Sequence, residues 1–134
     1  MKDLINHVLL AVKAKWVPTR LTMSFGHAPS GTKPPTLNYY LISSPKFAET
    51  FSGTGCLARI QIDVRVADHR LDQAMSLSSD VVSTYDRAAL TMPVGSSVQP
   101  ICCKVTDVRC RFETDTRTWL VSHDIRVAAH EPNT

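Results

Sequence analysis

Between Cys56 and Ala67 the chain reads Cys-Leu-Ala-Arg-Ile-Gln-Ile-Asp-Val-Arg-Val-Ala. Cys56, Ala58, Ile60, Ile62, Val64 and Val66 are apolar, and Arg59, Gln61, Asp63 and Arg65 interleave with them. A strict period of two sends the sets to opposite faces of an extended strand. The β-branched residues fall on the apolar side, where a packed pleated surface favours them. One face of this strand therefore demands a covering layer, and the other meets water or a partner.

The flanking segments supply that layer. Leu4, Ile5, Val8, Leu9, Val12 and Trp16 recur at helical spacing over residues 2–16, Lys13 and Lys15 suit the negative end of the helix dipole, and Pro18 stops the run. A second helix is expected from Asp68, acting as its cap, to about Leu90. Its apolar stripe is Leu71, Ala74, Met75, Ser78, Val82, Tyr85 and Ala89. Strands are expected at Arg20–Phe25, at Leu37–Ser43 inside the sheet, at Cys56–Ala67, at Val98–Phe112 and at Trp119–Val127. In Val98–Phe112, Ile101, Cys103 and Val105 share one parity and Val108, Cys110 and Phe112 the other, so a bulge belongs near Thr106–Asp107. Loops are expected at Gly26–Pro35 and Ser44–Gly55. The polar tail at 130–134 is expected to fray.

The order α-β-β-β-α-β-β predicts an α+β domain over residues 1–134. It is a mixed, mainly antiparallel sheet of about five strands with both helices on one face. The bare face then carries Arg59, Gln61, Asp63 and Arg65 beside Ser122, Asp124 and Arg126, with Leu57 and Leu120 as exposed leucines.

At 134 residues the chain suits one domain, with 43% hydrophobic and 20% charged residues. No apolar run approaches the roughly 18–20 residues that span a bilayer, so no membrane partner is expected. The N-terminus is expected to lack a signal peptide, which places the chain in a reducing cytoplasm. A formal net charge of +3 from scattered, interleaved charges does not mark a nucleic-acid binder. Cys56, Cys102, Cys103 and Cys110 form no Cys-x-x-Cys pair and read as small core thiols, with a disulfide left open.

Reactive chemistry is not legible. There is no nucleophile elbow, no His-Glu-x-x-His and no phosphate loop, and Gly53-Thr54-Gly55 leads into a strand instead of opening a helix. Asp68 and His69 could act as an acid–base pair but read more simply as a helix start. His123 lies on the apolar parity of the last strand and reads as a core histidine with a satisfied hydrogen bond. Cys56, Cys103, Cys110 and His123 lack the paired spacing of a zinc site. No catalytic residue, metal or cofactor is expected.

Several stretches together are similar to a known family. They are the helix with Leu4, Ile5, Val8 and Leu9; Leu37-Asn38-Tyr39-Tyr40-Leu41-Ile42-Ser43 after Pro35; Leu57 to Val66, above all Ile60 to Val64; the helix from Leu71; and the strands Val98–Asp107 and Trp119–Val127. In this combination the chain resembles the tail terminator, or tail completion, family of long-tailed bacteriophages.

That resemblance implies a virion structural protein at the neck, made in the host cytoplasm. Its subunits would close into a homo-hexameric ring that caps the head-proximal end of the tail tube, stops tube growth and meets the head connector. Implied partners are further copies of itself, the tail tube protein and the head-completion or connector protein, with DNA only as transiting genome. Alternatives are another neck component, such as a head-closure or adaptor protein, or a small intracellular enzyme or ligand-binding domain. Candidate interface residues, chosen for exposure and loop length, are His27, Pro29, Lys33 and Pro34 in one loop and Lys46, Phe47 and Phe51 in the other. On the bare face they are Leu57, Arg59, Asp63, Arg65, Leu120, Asp124 and Arg126.

Overall fold

The computed structural model describes residues 2–16, 21–26, 33–44, 46–50 and 53–132, with the backbone alone for 2–3 and 46–50. The elements are α1 (Lys2–Lys15), β1 (Met23–Phe25), β2 (Thr36–Ser43), β3 (Lys46–Thr50), β4 (Gly53–Ala67), α2 (Leu71–Tyr85), β5 (Gln99–Glu113) and β6 (Thr118–Pro132). The sheet runs β1-β2-β4-β6-β5, and β3 pairs with the first residues of β4. Only β1 and β2 are parallel; the other pairs are antiparallel. The α+β fold with two helices on one face of a mixed five-strand path is as the alternation predicts.

The alternating strand is the centre of that path. Ile60, Ile62, Val64 and Val66 are fully buried, and each contributes about 1.5–3 kcal/mol of apolar burial. Across β6 they meet Ile125, His123, Val121 and Trp119 in direct register, so one face of both strands forms the floor of the core. Leu4, Val8 and Val12 of α1 and Ala74, Leu77, Val81 and Tyr85 of α2 cover it. The Tyr85 hydroxyl donates to the Val12 carbonyl at 2.6 Å and joins the two helices. His123, wholly buried, bonds the Ile62 carbonyl through Nδ1 at 3.0 Å and Ser78 Oγ through Nε2 at 2.7 Å. This makes Nδ1 the protonated nitrogen, with Ser78 donating to Nε2. Burial pushes the imidazole pKa below its ordinary value.

Several boundaries differ from expectation. Residues 46–50, expected in a loop, form β3, and β4 begins at Gly53 instead of Cys56. A Cβ at Gly53 would lie 2.2 Å from the Glu131 carbonyl oxygen, so glycine is what allows β4 and β6 to pair to the end. For the same reason residues 130–132, expected to fray, are strand, paired with Gly53–Gly55.

α2 is shorter than predicted. Asp68 does not cap it: Arg70 holds the cap position without a side-chain bond, and the Asp68 carboxylate goes to Arg117 at 3.1 Å and His69 at 3.4 Å. At the other end Arg87 turns to φ 54. The Asp86 carboxylate there accepts the Val105 amide at 3.2 Å, beside the β5 register shift between Val105 and Asp107. The predicted bulge is thus real, and its neighbouring backbone donor is held by the residue that ends α2.

The stripe of α2 is also rotated. Ala74, Leu77, Val81 and Tyr85 face the sheet, whereas Leu71 and Met75, expected in the core, are 41% and 47% exposed. The helix carries two adjacent apolar stripes, and the sheet selects one of them.

Candidate assembly surfaces

Among the described residues, the second face of the sheet has no helix against it. Register places Leu57, Arg59, Gln61, Asp63 and Arg65 of β4 opposite Ala128, Arg126, Asp124, Ser122 and Leu120 of β6. The six bare-face interface candidates besides Leu57, namely Arg59, Asp63, Arg65, Leu120, Asp124 and Arg126, therefore lie on one side of the sheet with it. β5 adds Lys104, Asp107, Arg109 and Arg111 to the same rows, and β2 adds Asn38 and Tyr40. The phase change at the bulge was the signal for Arg109 and Arg111, because it moves Val108, Cys110 and Phe112 to the core-side parity.

Read across the strands, the charges fall in bands. Arg59, Arg126 and Lys104 form one row; Gln61, Asp124 and Asp107 the next; then Asp63, Ser122 and Arg109; then Arg65, Leu120 and Arg111. Ion pairs stitch the bands together: Arg59 to Asp124 at 3.5 Å, Arg109 to Asp107 at 3.7 Å and Arg65 to Glu113. Arg65 also reaches the Thr118 hydroxyl at 3.0 Å. These pairs are partly exposed and each adds little stability; their effect is to flatten the potential of the surface.

The middle of this face is not open. Asp63 and Leu120 are 7% and 4% exposed, so the expectation of two exposed leucines fails for Leu120. Its cross-strand neighbours are Arg65 and Arg111, whose stems flank it. Asp63 accepts from Gln61 at 2.9 Å and from the Tyr40 hydroxyl. Burial, then that bond to Asp63, pushes the Tyr40 pKa up. Tyr40, Gln61 and Asp63 bond to one another and close over the sheet, while Asn38 Oδ1 and Arg59 Nε are buried without a partner among the described residues.

The loop candidates are less well placed. Lys33 is exposed and Pro34 half-buried just before β2. Lys46 and Phe47 stand on β3, with their side chains outside the described set, and His27, Pro29 and Phe51 lie outside the described residues.

A second exposed surface was not anticipated. β5 is an edge strand, and Val108 and Phe112 on its helix side are 44% and 41% exposed. Phe112 meets Trp119 edge-on at 5.1 Å between centroids. With Asp68 and His69 the two rings line an open recess of about 500 Å³. His69 first, then Arg117, hold the Asp68 carboxyl below its ordinary range.

Among the described residues no three His, Cys, Asp or Glu side chains converge as metal ligands, and no helix is long and apolar enough to cross a membrane. Cys56 and Cys103 are buried and Cys102 and Cys110 exposed, all as free thiols, so only two of the four are core residues. Burial pushes the Cys103 thiol up to about 12, with Cys102 and Asp86 adding to the shift. It is a packing group and a poor nucleophile.

No protein-family model matches the chain, and no curated protein does. Among solved structures the fold is similar to that of a chain in the virion of a native gene transfer agent particle. The TM-score is 0.74 at 12% identity, over 97% of this chain and 99% of that one.

Proposed function

We propose that this chain is a virion structural protein, a tail terminator. Its copies close into a hexameric ring that caps the head-proximal end of the tail tube, halts tube polymerisation and joins the tail to the head connector. The observation that carries this reading is the end-to-end likeness to a chain of a gene transfer agent virion. The strand and helix stretches that resemble the tail terminator family point the same way. The banded sheet face supports it too: a ring subunit needs a rigid core and extended surfaces for neighbours, and head-to-tail contacts need two different patches. It needs no reactive centre.

DNA is a partner only as genome in transit. Where mixed charge of the kind on the bare face met a duplex, it would give weak, shallow salt dependence in place of tight phosphate binding. Deleting the gene from a phage that carries it tests the assignment. The expected particles have tails of uncontrolled length, or tails that fail to join heads. Tails of normal length joined normally to filled heads refute the reading.

A further inference from the structure

One band of the bare face is not balanced within itself. Arg59, Arg126 and Lys104 are direct cross-strand neighbours on β4, β6 and β5. At strand spacings of about 4.8 Å, three cations fall within about 10 Å. Like charges directly opposite one another destabilise a sheet. Among the described residues only Arg59 of the three lies within ion-pair distance of a carboxylate, and its Nε is buried without a partner. Ile42, 47% exposed, and the half-buried Leu57 border the row with apolar surface.

The complement lies on the far side of the same molecule. α2 contains Asp72 and Asp80 and no lysine or arginine; Arg70, at its cap, lies 3.3 Å from Asp72 in an exposed pair that adds little stability and can be exchanged for another cation. Ser76, Ser79 and Ser83 keep its outer face low in relief, and Leu71 and Met75 give it exposed apolar surface. Because Ala74, Leu77, Val81 and Tyr85 turn inward onto the sheet, this acidic face points away from the cationic row. Two bare faces packed symmetrically would set cations against cations, whereas a head-to-tail contact repeated by a rotation that closes sets acid on base from each copy to the next.

We propose that a second copy of this chain docks head-to-tail on the cationic end of the bare face, presenting the outer face of its α2. Asp72 and Asp80 of that copy neutralise the Arg59–Arg126–Lys104 row, and its helix gives the sheet a second covering layer. This rests on the ring reading, for which it names the two patches that repeat around the ring.

The test uses two full-length double variants, Lys104→Glu with Arg126→Glu and Asp72→Lys with Asp80→Lys. All four side chains are exposed, so folding is retained, checked by an unchanged thermal transition. Light scattering across a concentration series reads self-association. Each variant alone should associate at least about tenfold more weakly than the wild type. An equimolar mixture should recover wild-type association, because each reversed row then meets a reversed helix in alternation. Carbodiimide treatment of mixed heavy- and light-isotope wild-type protein should link Lys104 of one copy to Asp72 or Asp80 of another.

Recovery and those cross-links support the proposal. A mixture no better than its components overturns it, as does wild-type association by either variant. Loss of binding to a labelled DNA duplex with association unchanged would assign the row to nucleic acid and equally overturn it. A wild-type chain that stays monomeric at millimolar concentration also refutes it, while the ring reading still stands or falls on the tail-length phenotype.

Discussion

Removing one oxygen atom, in Tyr85→Phe, tests how the two helices are held together. α1 ends at Lys15, so the Val12 carbonyl is among the last four, which have no amide one turn on. Trp16 turns its own amide to Lys13 at 3.2 Å. Val12 and Tyr85 are both fully buried, which leaves the Tyr85 hydroxyl, at 2.6 Å, as the donor that satisfies this carbonyl. Phenylalanine keeps the ring and its parallel stack on Trp16, 6.5 Å between centroids, and loses only the donor. The net hydrogen bond and the stranded carbonyl together cost about 2 kcal/mol. For a chain of this size that lowers the melting temperature by about 6–10 °C. Urea unfolding should show a lower midpoint with an unchanged slope. A loss below about 0.5 kcal/mol would mean that the carbonyl finds another partner and that the helix–helix link is packing alone.

The buried imidazole makes stability depend on pH. In the unfolded chain His123 protonates near its ordinary value of about 6.5, while in the fold burial holds its pKa lower. The unfolded state therefore takes up the proton first. Stability is full above about pH 6.5 and falls as pH drops through the folded-state value, by at most about 1.4 kcal/mol per pH unit from this group. Denaturant midpoints measured from pH 7.5 to 5 should show the fall, and His123→Gln should flatten it; an unchanged slope in the variant would assign the dependence elsewhere. Gly53→Ala should cost about 1–3 kcal/mol by overpacking, because its Cβ would meet the Glu131 carbonyl at 2.2 Å. Amide exchange should then rise at the Gly53–Gly55 and 130–132 ends of β4 and β6, and continued protection there would refute the close approach. Arg65→Ala removes bonds to Glu113 and Thr118 on a partly exposed face. It should cost no more than about 1 kcal/mol of stability by denaturant titration.

Much of the fold was legible because alternation is a local property with a global consequence. Twelve residues at a period of two fixed the two faces of β4, and the phase slip between Val105 and Val108 placed the β5 bulge. The composition of the bare face followed from the same parity. His123 could be assigned to the core because its neighbours in the strand, Val121 and Ile125, share its face.

What the sequence could not decide depended on contacts between distant residues. β3 exists because β4 offers it a ladder, and its own five residues carry no strong alternation. α2 stops at Tyr85 because Asp86 is engaged by an amide nineteen residues later on β5. Which of the two apolar stripes of α2 is buried was settled by the sheet beneath it. Asp68 left its expected capping role for Arg117, in the turn between β5 and β6. The row of Arg59, Arg126 and Lys104 is likewise invisible along the chain, since its members come from three strands and meet only when the register is set. Local spacing determines which face a side chain takes; only tertiary pairing decides which side chains from elsewhere stand beside it, because those neighbours are chosen by long-range hydrogen-bond register.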